Sequence, residues 1–236
     1  MKSLFSLALR AYSYIESIFR RRPIRSRGYV DGLNLGHSTE LLGDPDCQQC
    51  DPAKLIERCL EQEDALLAVN YYVAVARHLG ESVKNNWLAF TKALEARGIR
   101  VVLGRFKKKK RTVFLPTPAS NRTGGQTRHK ISVYEEKETD VNIAIDMIAD
   151  AKDGKCDKMF LISGDSDFLP VVRYLLDMGI KVVVIAPPHQ KVVEFRALAT
   201  QRPGELYVRQ LDMRDIRLCQ LADPIFINGK KICLFV

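Results

Sequence analysis

Short apolar runs separated by helix-length amphipathic stretches decide what this chain is able to fold into. Met159-Phe-Leu-Ile162 and Lys181-Val-Val-Val-Ile185 show no polar alternation, and Asn70 to Val75 and Ile99 to Leu103 are similarly rich in β-forming residues. Strands that are apolar on successive residues bury both faces, the condition of a parallel sheet covered by helices on each side. Between them the spacing predicts a helix over 52–63, opened by Asp51 as N-cap and Pro52 at the first helical position. Further helices are predicted over 82–96, with Trp87, Phe90 and Leu94 on one face and Gly98 behind it, and over 139–151. Two more run over 168–178, ended by Gly179, and over 190–199. A first strand begins at Gly28 and enters a Gly-rich turn by Leu35, and a strand-like Ile131-Ser-Val-Tyr134 precedes the 139–151 helix. This alternation defines an α/β class with a mainly parallel sheet, and 236 residues suffice for one such domain with extensions. No stretch approaches the roughly 18 consecutive apolar residues of a membrane-crossing helix.

Charge is unevenly distributed along this frame. The net charge is +9, yet residues 1–28 carry +6 and residues 104–130 carry +9 without a single acid, which leaves the remainder at −6. An excess of this kind suits a polyanionic partner, either nucleic acid or an anionic membrane surface. The 104–130 segment holds Lys107, Lys108, Lys109, Lys110 and Arg111, and its Pro116, Pro118 and Gly124-Gly125 predict irregular backbone between two strands of one sheet. A flexible basic arm grips a polynucleotide backbone with salt-dependent affinity and little sequence preference. Phe106, Phe114 and His129 are available to stack on bases. The plainer reading of the lysine run is a solvated loop.

Over the first 22 residues Leu4, Ala8, Ala11, Ile15 and Ile18 recur at helical spacing, and Arg20-Arg21-Arg22-Pro23 ends the pattern. Three uses are open to such a basic amphipathic helix: docking on the domain or on a protein partner, lying on an anionic membrane, or directing the chain to an organelle. Six cysteines at 47, 50, 59, 156, 219 and 233 are too few for a disulfide scaffold, which points to free thiols in a reducing, cytoplasmic setting. Cys47-Gln-Gln-Cys50 lacks a second pair at finger-like spacing, so structural zinc and redox chemistry both rank below plain thiols.

Parallel sheets gather their chemistry outside the carboxyl ends of the strands. Asp31 stands at the end of the first strand, Asp165 and Asp167 follow the 159–162 strand, and Asp140 follows the 131 strand and opens the next helix. Each has an ordinary structural use, Asp31 in a turn, Asp140 as an N-cap and Asp165-Ser-Asp167 capping the helix from Phe168. Their common edge raises a further reading. Four carboxylates on one edge repel one another unless a cation lies among them, and Mg²⁺ or Mn²⁺ suits all-oxygen ligands while keeping waters. Such an ion activates water and screens phosphate, so phosphodiester hydrolysis is a coherent use. Asp146, six residues past Asp140, points off that face and lies outside the set.

In order and spacing these residues resemble the NYN domain of the PIN-like nuclease superfamily, in its LabA-like branch. The matching pieces are Tyr29-Val-Asp-Gly-Leu-Asn34, Gly104-Arg-Phe-Lys107, Glu136-Lys-Glu-Thr-Asp140 continuing to Asp146, and Leu161-Ile-Ser-Gly-Asp165-Ser-Asp167-Phe-Leu-Pro170 with Gly179-Ile-Lys-Val-Val-Val184 behind it. The resemblance covers about residues 28–200 and implies a Rossmann-like three-layer α/β/α sandwich, a Mg²⁺- or Mn²⁺-dependent acidic site and ribonuclease activity. The family's metal-binding acids fall on Asp31, Asp140, Asp165 and Asp167, its polar neighbour on Asn34, and its small hydroxyl on Ser163. Asp146 matches an acid often present. The family's Lys-Gly-x-Asp stands here as Lys137-Glu138-Thr139-Asp140, with an acid in place of the glycine.

The resulting expectation is a metal-dependent endoribonuclease acting on single-stranded or structured RNA through an activated water. Asn34, Ser163 and Lys137 would orient water or phosphate, and Lys107 to Lys110 with Arg111 would hold the strand, assisted by the N-terminal arginines. The organisation implied is a basic helix and linker over 1–27, the nuclease domain over 28–200 with its basic insertion at 104–130, and an extension over 201–236 packed on the domain. The rivals are a catalytically silent RNA- or protein-binding module of the same fold and, behind it, a metal-dependent phosphatase. The phosphatase is disfavoured because Asp31-Gly-Leu-Asn lacks the Asp-x-Asp of aspartyl-phosphate chemistry.

Overall fold

The structure, a computed structural model, describes residues 22–44, 47, 49–76, 79–116, 126–222, 225–227 and 230–232. The helix expected over residues 1–22 therefore lies, Arg22 apart, outside the described residues. In chain order the strands are β1 (Ile24–Asp31), β2 (Asp64–Val73), β3 (Arg100–Leu103), β4 (Arg105–Pro116), β5 (Gln126–Lys137), β6 (Lys158–Ile162), β7 (Lys181–Ala186), β8 (Leu206–Gln210), β9 (Ile225–Ile227) and β10 (Lys230–Ile232). Six of them form the central sheet in the order β3-β2-β1-β6-β7-β8, and every neighbouring pair is parallel. The chain winds outward from β1 to β3, then returns to the other side of β1 and winds outward again from β6 to β8. Strand order thus reverses between β1 and β6, which is the switch point where sheets of this kind open a crevice at their carboxyl edge.

Successive residues of each central strand enter opposite cores, as a period of two requires. Val30, Tyr71, Phe160 and Ile185 pack against Leu35 of α1 (Gly32–Glu40), Leu55 of α2 (Pro52–Glu57), Leu94 of α3 (Glu81–Ala96) and Ile216 of α7 (Met213–Leu218). Tyr29, Tyr72, Leu161 and Val184 pack on the other side against Met147 of α4 (Thr139–Lys152), Leu175 of α5 (Leu169–Asp177) and Phe195 of α6 (Val193–Gln201). This is the expected three-layer sandwich. β8, drawn from residues 201–236, completes the sheet as its edge strand.

Several elements differ from expectation. The helix predicted over 52–63 ends at Glu57, and β2 starts at Asp64 rather than Asn70. The cause is tertiary. Lys158, only 2% exposed, holds Glu61 at 2.7 Å and Asp64 at 2.8 Å, which draws 61–64 into a turn at the amino edge of the sheet. Nor does Asp31 lead into a turn. Its side chain accepts from the Asn34 N–H and so caps α1, a helix hidden from sequence by its two glycines and polar content.

The largest difference concerns the basic segment. Instead of an irregular arm between strands of one sheet, β4 and β5 form a separate two-stranded antiparallel ribbon, with continuous pairing from Arg105↔Lys137 to Pro116↔Gln126. Two arginines assigned to the N-terminal basic cluster are also committed elsewhere. Arg25 pairs with Asp157 at 2.8 Å and Arg27 with Asp150 at 3.1 Å, near the start of β1 and remote from its carboxyl end. Cys47, Cys50 and Cys219 are buried in the core as free thiols, and burial first of all pushes each thiol up from its ordinary value.

Candidate active site

Asp31 is the last residue of β1 and is 5% exposed. One carboxylate oxygen accepts from Asn34 N at 3.0 Å and the other from Ser163 Oγ at 3.0 Å. Ser163 is the first residue past β6 and fully buried, and its oxygen in turn accepts from Asp165 N at 3.1 Å. Asn34 closes the ring, its Oδ1 accepting from Gly164 N at 3.0 Å. The loops after β1 and β6 are therefore laced across the switch point by two hydrogen bonds, with one more inside each loop. Gly164 also lets the segment after β7 pack against this loop, because a Cβ there would fall 2.4 Å from Gln190 Cβ.

Asp165 accepts from Asp167 N at 2.9 Å and caps the short 3₁₀ turn Ser166–Phe168 that precedes α5. The structural role foreseen for this pair is real, and it leaves Asp167 exposed to solvent. Asp140 lies in the first turn of α4, behind the N-cap Glu138 rather than at the cap itself. A carboxylate there is favoured by the helix dipole.

The electrostatics tie these groups together. Burial pushes Asp31 up to about 6, the charges of Asp140 and Asp165 add to this, and the Asn34 and Ser163 hydrogen bonds oppose it. Asp140 is raised by partial burial and then by Asp165 and Asp167, against the influence of Lys137. Glu136 belongs to the same field: partial burial, then Asp140 and Asp31, push it up to about 7. From sequence alone Glu136 has no assigned role, although it opens the Glu136–Asp140 stretch of the family resemblance, beyond the basic 104–130 segment. The available signal was its position four residues before Asp140, at the last even step of a period-two strand. Its Oε1 accepts from Thr139 Oγ1, and Gly104 stands alongside, where a Cβ would come within 3.2 Å of that oxygen.

Other expected residues lie elsewhere. The Lys137 ammonium pairs with Glu135 at 3.2 Å, on the opposite face of β5 from Glu136. Lys107 to Lys110 and Arg111 line β4 and divide between its two faces. Glu138 occupies the family's glycine position with φ 85° and pairs with Arg105 at 2.7 Å. The left-handed backbone explains why glycine is common there. Asp146 accepts from Tyr72 Oη at 2.7 Å and pairs with Arg100 at 3.0 Å, which ties α4 to β2 and β3.

Among the described residues no three His, Cys, Asp or Glu side chains converge closely enough to encage a metal ion. The donor chemistry nonetheless fits Mg²⁺ or Mn²⁺. The set offers only hard oxygens, Asp31 and Asp140 are raised first by burial and then by the neighbouring carboxylates, and such ions keep several waters beside one or two carboxylates.

A doubly wound α/β domain with carboxylates at its switch point is the architecture in which such sheets hold ligands. The NYN domain model matches residues 28–202, and the chain belongs to that family, a PIN-like nuclease family. A crystal structure of a protein of unknown function from Vibrio parahaemolyticus is similar at 16% sequence identity and a TM-score of 0.47, covering 81% of this chain and 95% of that one. No curated protein matches the chain. Among the described residues no helix is long and apolar enough to cross a membrane.

Proposed function

We propose that this chain is a metal-dependent ribonuclease that hydrolyses RNA phosphodiester bonds, with Asp31, Asp140, Asp165 and Asp167 holding Mg²⁺ or Mn²⁺. The observation that carries this reading is the lacing of Asp31 and Asp165 through Ser163 at the switch point, within reach of the charge of Asp140. When bound, the ion supplies charge neutralisation and Lewis acidity toward phosphate oxygens.

The chain's own residues do the rest. Ser163 donates to Asp31 and Asn34 accepts from Gly164, so both loops are held before substrate arrives. Glu136, titrating near 7, is suited to take the proton of the attacking water as the water oxygen bonds to phosphorus. The bond to the ribose oxygen breaks meanwhile, and that oxygen takes a proton from solvent. The basic β4–β5 ribbon beside it offers cations to the RNA backbone. The acidic crevice alone would repel RNA, so the two features serve one substrate.

The test is a nuclease assay on RNA and DNA with Mg²⁺, Mn²⁺ and EDTA compared. The expected result is metal-dependent RNA cleavage, abolished in Asp165→Asn with an unchanged melting curve. Undiminished cleavage by folded Asp165→Asn protein would falsify the assignment. A second reading, a silent RNA- or protein-binding module, draws on Asp31, whose two oxygens already accept hydrogen bonds within the fold. It predicts EDTA-insensitive binding and no product after prolonged incubation.

A further inference from the structure

The β4–β5 ribbon sorts its side chains by face. Strict alternation along paired strands puts Phe106, Lys108, Lys110, Thr112 and Phe114 on one face with Glu136, Tyr134, Ser132, Lys130 and Arg128 across from them in turn. The opposite face holds Arg105, Lys107, Lys109, Arg111 and Val113, facing Lys137, Glu135, Val133, Ile131 and His129. The two faces differ in kind.

On the second face four of the five cations have a carboxylate partner, Lys107 being the exception among the described residues. Glu135 pairs with Lys109 at 2.5 Å, Arg111 at 2.6 Å and Lys137 at 3.2 Å, and these three hold its carboxyl down to about 2. Glu138 takes Arg105. On the first face Lys108, Lys110, Lys130 and Arg128 are exposed, and among the described residues no acid pairs with them. Phe106, Phe114 and Tyr134 fall on this face, and His129, the remaining ring of the described ribbon, falls on the other. Phe114 is 60% exposed, Tyr134 is 39% exposed, and the Lys108 ammonium lies over the Tyr134 ring at 5.8 Å. The base of the same face is Glu136, which shares the field of Asp31 and Asp140.

Resting on the ribonuclease reading, we infer that this face of the ribbon is a track for single-stranded RNA that leads into the acidic crevice. Rungs on one face recur about every 7 Å, so Arg128 stands about 27 Å of strand from Glu136. Cations interleaved with exposed rings at that spacing engage phosphates and unstacked bases alternately. A duplex does not fit this arrangement. Its bases are stacked and paired, so the rings find no free face, and the major groove of A-form RNA is too deep and narrow for side chains to read. The right-handed twist of a two-stranded ribbon winds the track as it leaves the domain. The lysine run is thereby divided, with Lys108 and Lys110 for the strand and Lys107 and Lys109 behind it.

The experiment is fluorescence anisotropy with the full chain in EDTA, using a labelled 15-mer single-stranded RNA and the blunt duplex of the same sequence over a salt series. Tyr134→Ala and Phe114→Ala are each expected to weaken single-strand binding at least about fivefold, the lower end of what one stacked base contributes. Tyr134→Phe should bind as the parent does, which separates a lost ring from a lost fold. The Lys108→Ala/Lys110→Ala pair should reduce the salt slope by about 1.4, whereas Lys107→Ala/Lys109→Ala should reduce it by less. The duplex should bind at least tenfold more weakly. Equal losses from the two lysine pairs, unaltered binding without the rings, or equal affinity for duplex would each overturn the track. Cleavage in Mn²⁺ is scored separately: face-dependent binding without cleavage removes the ribonuclease reading and leaves the track, while cleavage without face dependence removes the track alone.

Discussion

Replacing Asp31 by Asn should stabilise the protein in metal-free buffer at alkaline pH, although it removes a residue from the proposed machinery. The carboxyl is 5% exposed and titrates at about 6 in the fold, first because of burial and then because of Asp140 and Asp165. Unfolded, it titrates near 3.9. The folded state therefore holds the proton more tightly, so stability is greatest below about pH 4 and declines as pH rises through 6. A difference of about two pH units corresponds to roughly 3 kcal/mol withheld from the fold at pH 8. Asparagine carries no charge and escapes that loss. Its oxygen still accepts from Asn34 N, and the Ser163 hydroxyl turns from donating to accepting, at a cost of about 1 kcal/mol. Asp31→Asn should then gain about 2 kcal/mol at pH 8, or about 4–8 °C in Tm for a chain of this size, and lose the gain at pH 4. The assay is thermal denaturation of both proteins from pH 4 to 8 in EDTA, repeated with Mn²⁺, which should raise the Tm of the parent and not that of the variant. A variant less stable than the parent at pH 8, or an offset that does not vary with pH, would refute the reasoning.

Three further outcomes follow from the same geometry. Glu136→Gln should lower metal-supported cleavage about 10²-fold and remove the limb of the pH–rate profile that rises through about pH 7, because the group must be ionised to accept a proton. Glu138→Gly relieves a left-handed residue and should leave stability within about 1 kcal/mol of the parent, whereas Glu138→Val should lower it by about 1–2 kcal/mol in urea denaturation. Lys158→Ala strands the buried carboxylate of Asp64 and should cost about 3–5 kcal/mol by the same measurement, with no direct effect on the distant crevice.

The parallel sheet and its acidic edge were legible in sequence because burial on both faces leaves apolar runs, and because Asp31, Asp165 and Asp167 follow such runs directly. The ribbon was not legible. Alternation reveals a strand only when one face is apolar, and Lys107 to Lys110 place cations on both faces of β4, so period two vanishes from the hydropathy pattern. Its strands are held by ladder hydrogen bonds rather than by a core. Glu136 was hidden for the same reason, since its membership in the site depends on where β5 delivers it. The early end of α2 was invisible because Lys158, about a hundred residues away, determines it. Asp31 escaped recognition as a helix cap because Gly32 and Gly36 read as turn residues.

The ribbon is also a sheet with two outer edges. Among the described residues β4 pairs only with β5, so each strand presents a row of backbone donors and acceptors along its free side. Such edges invite pairing with another copy, and charged side chains, lysine above all, are the usual deterrent. The cations of Lys107 to Lys110 therefore have a second consequence, mutual repulsion between ribbons. That deterrent is electrostatic and fades within a Debye length of about 8 Å at physiological ionic strength. Conditions that weaken a polyanion's grip on the ribbon also lower the barrier between two molecules, so salt acts on solubility and on binding together, sharing Lys108 and Lys110.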